Sequence, residues 1–120
     1  MPRVVHFEIP ADDPGRAAKF YQDVFEWGVH KWQGPMEYWL VMTGEGEPGI
    51  DGAIYPRLQP GGVVNTIDVP SVDEYVDKVV RAGGRVIAPK VAVPGVGWMA
   101  YLEDTEGNQF GIMARDESAR

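Results

Sequence analysis

Cysteine is absent from all 120 residues, which removes disulfides, thiolate metal ligands and cysteine nucleophiles together and fits a reducing, cytoplasmic setting. Serine is scarce. Ser71 and Ser118 are the only two, and Ser71 stands where a helix cap is expected, so no Ser-His-Asp arrangement is available. Positive charge is thin as well: Lys and Arg number 11 against 18 Asp and Glu, a formal net charge of −7. Without a basic cluster, that balance argues against a nucleic-acid partner. No apolar run approaches the roughly 20 residues of a membrane helix, and no charged start leads into an apolar stretch. A soluble, unsecreted, cytoplasmic protein without a membrane partner is therefore expected. With 44% hydrophobic and 11% aromatic residues the chain has material for a core, and a single domain over residues 1–120 is expected.

What is present is a repeat. The stretch Val4–Gly28 passes from a short apolar run through Asp and Pro into a helical pattern, with Ala17, Phe20, Tyr21, Val24 and Phe25 spaced to share one helix face. Val72, Tyr75, Val76, Val79 and Val80 repeat that spacing, and Val72 and Gly83 each stand 55 residues beyond Ala17 and Gly28. Asp12 and Asp13 before Pro14 predict one helix start. Ser71 with Glu74 three positions on predicts the other as a capping box. After each helix come three strand-like runs separated by Gly/Pro turns: near Val29–Trp32, Tyr38–Thr43 and Gly52–Arg57, then near Val86–Val93, Trp98–Glu103 and Gln109–Ala114. The tail from Arg115 is charged and is expected to fray.

This order predicts an α+β fold of two tandem βαβββ modules, about residues 1–60 and about 61–115, making an eight-stranded open, barrel-like sheet around a cleft with the helices outside. In the first strand Val5, Phe7 and Ile9 alternate with Val4, His6 and Glu8; the apolar set should carry the helix, leaving His6 and Glu8 facing the cleft. The same alternation places Val64 and Thr66, and Gln109, Gly111 and Met113, on cleft-facing positions. Trp39, Tyr55, Trp98 and Tyr101 also lie on strands, but alternation does not settle their faces.

With the paired modules, the HFEIPADDPGRAAKFYQDVFEW opening, the AGGRV junction and the EDTEGNQFGIM ending, the sequence resembles the vicinal oxygen chelate superfamily of glyoxalases, bleomycin resistance proteins and extradiol dioxygenases, in particular a small bacterial glyoxalase-related branch. The resemblance implies the βαβββ pair and, in the enzymes, a divalent metal held by His and Glu from four strands. His6 stands where the first ligand would be. Val64 or Thr66 replaces the second, Gly111 stands in the last strand where a carboxylate is expected, and Ile54-Tyr-Pro-Arg57 offers none in the fourth. His6 and Glu8 alone would give fewer than the three protein ligands usual in catalytic zinc sites.

His6 and Glu8 carry two readings, a ligand-orienting or acid/base pair and a structural hydrogen-bonded pair. The tryptophans likewise suit either a pocket for a flat apolar molecule or ordinary core. The expectation is a small-molecule-binding protein with a degenerate metal site and no cofactor, holding an apolar or aromatic compound through His6, Glu8, Trp39, Tyr55, Thr66, Trp98 and Tyr101. The alternative is a metal-dependent glyoxalase-like lyase or dioxygenase-like enzyme with a divalent metal on His6 and Glu8. Open sheet edges and the habit of the superfamily point to a homodimer.

Overall fold

The computed structural model describes residues 2–120. Its elements follow the order βαβββ-βαβββ: β1 (Arg3–Ala11), α1 (Pro14–Phe25), β2 (Gly28–Lys31), β3 (Trp39–Met42) and β4 (Gly52–Pro56), then β5 (Val64–Asp68), α2 (Val72–Arg81), β6 (Arg85–Val93), β7 (Gly97–Glu103) and β8 (Gln109–Arg115). The chain is α+β, as the periodicities require. It divides into two compact units, His6–Val63 and Val64–Arg120, with residues 2–5 grouped with the latter.

The two units share one wiring. In the first, β1 pairs with β4 in parallel, β4 with β3 antiparallel and β3 with β2 antiparallel. In the second, β5 pairs with β8 in parallel, β8 with β7 antiparallel and β7 with β6 antiparallel. Each helix covers one face of its own sheet. Ala18 of α1 meets Ala11, Val41 and Ile54, with Phe7, Ile9, Trp27 and Trp39 packed around them. Val72 of α2 meets Val69, Ala100, Leu102, Ile112 and Ala114, with Tyr75, Val76 and Val79 beside them. Because the helix consumes one face, side-chain alternation assigns every other strand residue to the opposite one. Gly52 belongs to the crowded side, where a Cβ would meet the Phe7 ring and carbonyl at 2.5 Å.

Both caps form as expected. Asp13 accepts from the Arg16 N–H and Ser71 from that of Glu74, satisfying amide donors that the first helical turn leaves open. The helix ends differ. After α2 the left-handed position is Gly83, at φ 101°, whereas α1 turns out through Glu26, at φ 61°, two residues before Gly28. Glu26 donates its N–H to the Gln22 carbonyl, which closes the last turn.

The apolar stripe of α1 is only partly covered: Phe20, Val24 and Phe25 are more than half exposed, while Pro14 and Ala18 face the core. Trp27 folds back beneath the helix end and stacks on Tyr21 and Phe25, so these rings pack on one another beside the core rather than inside it. The charged tail does not fray. Ala119 is fully buried, its carbonyl accepts from the Gly95 N–H, and Asp116 donates its N–H to the Val96 carbonyl and accepts from the Trp98 indole. The turn at residues 94–97 is thereby clasped by the last residues.

A left-handed conformation costs a residue with a Cβ roughly 1–2 kcal/mol that glycine avoids. Glu26→Gly is expected to stabilise the protein by about 0.5–1 kcal/mol once the extra unfolded-state entropy of glycine is counted, read as a higher urea midpoint at unchanged m-value.

Candidate functional site

The face of the first unit turned away from α1 carries His6 and Glu8 on β1, Ala53 and Tyr55 on β4, and Tyr38 leading into β3. Glu8 is 3% exposed. A carboxylate taken out of water has to find donors, and one is the Tyr38 hydroxyl, which donates to Glu8 Oε2 over 2.6 Å. The same hydroxyl lies 2.8 Å from His6 Nε2. A phenol has one proton, so with Tyr38 donating to the Glu8 carboxylate, His6 Nε2 must be the protonated nitrogen that donates to Tyr38.

The sheet explains how three residues from separate strands meet. Ala53 pairs with Glu8 on one side and Leu40 on the other, so β4 lies between β1 and β3. The Tyr38 side chain reaches across the middle strand to β1. Trp32 fixes its start by donating its N–H to the Tyr38 carbonyl and setting its ring edge-on to the phenol. Desolvation lowers the His6 pKa below the usual imidazole value, partly opposed by the negative charges of Glu8 and Asp51. Burial raises that of Tyr55, aided by Glu8 and opposed by Arg57.

Such an arrangement can do two things chemically. A neutral imidazole whose Nε2–H is committed to Tyr38 keeps Nδ1 as its acceptor and base, and Nδ1 makes no hydrogen bond among the described residues. Were Nδ1 to take a proton, the imidazolium would be steadied by the Glu8 charge acting through the shared phenol.

In the second unit the face turned from α2 carries Thr66 on β5, Tyr101 on β7 and Gly111 on β8. Thr66 pairs with Gly111, and Gly111 with Tyr101.

The two predicted tryptophans stand elsewhere. Trp39 packs on the α1 side, with its indole donating to Glu37 and Lys31 over its ring. Trp98 packs on the α2 side, held by Asp116 and covered by Lys90. They are separated from His6, Glu8, Tyr55, Thr66 and Tyr101 by one step of strand alternation. Tyr38 is the member that the sequence reading did not single out. Its signal was present, since the residue before Trp39 must take the face opposite to Trp39.

On this face of the first unit several candidate donors are already engaged. His6 Nε2 and one Glu8 oxygen are both engaged with Tyr38, the β4 positions on that face are Ala53 and Tyr55, and Asp51 is used to accept from Thr43. Among the described residues no group of three or more His, Cys, Asp or Glu is placed to hold a metal ion.

Paired βαβββ modules with chemistry on the faces away from the helices define a recognisable class of α+β proteins. Residues 3–44 match the bleomycin resistance protein-like N-terminal family. A glyoxylase-like domain-containing protein of Didymella fabae is 30% identical over 118 residues, covering 90% of each chain. A Mycobacterium bovis protein with the provisional name glyoxylase CFP32 is 32% identical over 111 residues, which span 88% of this chain and 42% of that one. The chain thus corresponds to less than half of the mycobacterial relative. Among solved structures, a hypothetical protein from Bacillus halodurans superposes with a TM-score of 0.71 at 17% identity, covering 99% of this chain and 98% of that one. A glyoxalase/bleomycin resistance protein/dioxygenase superfamily member from Vibrio splendidus gives 0.67 at 17% identity, covering 95% and 99%. The chain belongs to the glyoxylase-like, bleomycin resistance-related family of the vicinal oxygen chelate superfamily.

Two outcomes follow from the Tyr38 geometry. Tyr38→Phe removes a donor from a buried carboxylate and is expected to destabilise the protein by about 1–3 kcal/mol, measured by chemical unfolding. Because the folded state holds the His6 pKa below its unfolded value, the unfolded chain binds the proton first on acidification. The His6 contribution to stability is therefore full above the unfolded value of 6.5 and is lost as pH falls through the lower folded value. His6→Gln is expected to flatten that part of the stability profile, and the His6 ring signals in NMR should titrate with a midpoint below 6.5.

Proposed function

We propose that this protein binds a small apolar or aromatic molecule without a resident metal, through the sheet faces turned away from its helices. The observation that carries the reading is the shared Tyr38 hydroxyl. Where the enzymes of the superfamily are expected to offer open ligands to an ion, this chain ties its histidine and its buried glutamate to a phenol. The first strand thereby keeps the histidine but turns it into a hydrogen-bonding group, with Nδ1 as the atom able to accept from a ligand. Tyr55 adds a neutral, half-buried phenol to the same face, kept protonated by desolvation and by Glu8. An aromatic face with few convergent polar groups is the chemistry of a small-molecule site rather than of a macromolecular interface.

The second reading, a metal-dependent glyoxalase-like lyase or dioxygenase-like enzyme, draws on the names of the two sequence relatives. It would require a third ligand to be recruited beside His6 and Glu8.

The readings separate on metal content and ligand response. Protein purified without chelators is expected to contain no stoichiometric metal and to show no rise in Tm on adding zinc, nickel, manganese or ferrous iron. Members of a broad library of aromatic compounds should raise Tm through preferential binding to the folded state. Stoichiometric metal that disappears in His6→Ala would overturn the proposal, as would a library in which no compound shifts Tm.

A further inference from the structure

Only Glu8 and Thr66 are fully buried polar residues among those described, and they differ in one respect. Glu8 accepts from Tyr38. Thr66, at 2% exposure, has an Oγ1 with no hydrogen-bond partner among the described residues. A buried hydroxyl in that state costs about 1–3 kcal/mol, and valine would occupy nearly the same volume on a strand without the cost.

The residue opposite is also weaker for stability than it needs to be. Thr66 pairs with Gly111 on β8, and glycine inside a strand costs roughly 0.5–1 kcal/mol relative to alanine. Backbone conformation does not call for it, because Gly111 is absent from the glycines of positive φ. Crowding does not call for it either: a Cβ there would stand 3.4 Å from Thr66 Oγ1 and 3.5 Å from the nearest Tyr101 ring atom, both ordinary contacts. Two neighbouring positions on one face therefore forgo stability that a single methyl group at each would supply. Glycine within a strand often marks a place where another group approaches closely.

We propose that Thr66 Oγ1 is a polar anchor for ligand, donating a hydrogen bond to the carbonyl oxygen of a planar conjugated compound whose edge lies over Gly111 beside the Tyr101 ring. This rests on the reading of the protein as a small-molecule binder and adds the class of molecule. The partner is an acceptor because the hydroxyl has one proton to place, and a donor left unmatched in a dry site is the costlier defect. The ring face of Tyr101 supplies the flat apolar surface that a conjugated carbonyl compound needs. With Thr66 and Gly111 both buried, the entering group has to displace part of their cover, and the Tyr101 ring edge, 3.5 Å from where a Gly111 Cβ would stand, is the side chain next to both.

The test compares 2-acetylnaphthalene with 2-ethylnaphthalene, a pair of closely similar shape in which only the first carries a carbonyl, against the full chain and its Thr66→Val, Thr66→Ser and Gly111→Ala variants. Wild type is expected to bind the ketone about tenfold more tightly than the hydrocarbon, a ratio worth about 1.4 kcal/mol. Thr66→Val should bring the ratio to about one while raising the Tm of the ligand-free protein, and Thr66→Ser should keep the preference. Gly111→Ala should weaken both compounds by placing a methyl group between Thr66 Oγ1 and the Tyr101 ring. A ratio unchanged in Thr66→Val, or no binding of either compound, overturns the anchor. So does a Thr66→Val Tm at or below that of wild type, which would mean that the hydroxyl is already satisfied by water or by the protein. Failure of the binder reading itself looks different, since then no compound of the broad library shifts the wild-type Tm.

Discussion

A carboxylate buried to 3% exposure has to be answered by a donor, and at Glu8 the Tyr38 phenol gives that answer. Much of the polar chemistry of the first unit depends on this bond. It has Tyr38 leading into β3 on the face away from α1, and the Trp32 ring set edge-on to the phenol. It also sets the tautomer of His6, because the phenol proton is already spent on Glu8 and Nε2 is left to donate. The histidine is thus given one orientation and one protonated nitrogen, while desolvation by burial lowers its pKa.

The duplicated wiring explains why such a site has a counterpart position in each unit. In both, a parallel pair joins the first and last strands of the module, and the helix takes one face, so the same two central strands carry the residues of the other face. The contents have diverged. The first unit holds a bonded His-Tyr-Glu group, and the second holds an unbonded Thr66 beside Gly111. One position is expensive to bury and well matched; the other is cheaper to bury and unmatched. Such departures from a self-consistent interior are where function is most readily sought.

The helix ends and the chain terminus show how local signals fare against tertiary context. Asp13 and Ser71 cap as their spacing indicates, because capping is decided within four residues. At the exit of α1 the left-handed turn falls at Glu26, two residues before Gly28, and Trp27 stacks on Tyr21. A charged tail would fray by composition alone. It is held because Asp116 meets the Trp98 indole and Ala119 meets Gly95, contacts between positions far apart in sequence.

What the sequence by itself determined is everything carried by period and local geometry: the two βαβββ modules, their caps, and the side of β1 that presents His6 and Glu8. Alternation needs no partner strand to be true, so these were readable from one chain. Tertiary structure alone decided which residues meet. Strand register brought Tyr38 across Ala53 to Glu8, and helix docking drew Trp39 and Trp98 to the core side, although both had looked like lining for a site. Register and docking depend on contacts between separate segments, 30 residues apart in the case of Glu8 and Tyr38, and no spacing rule within either segment encodes them.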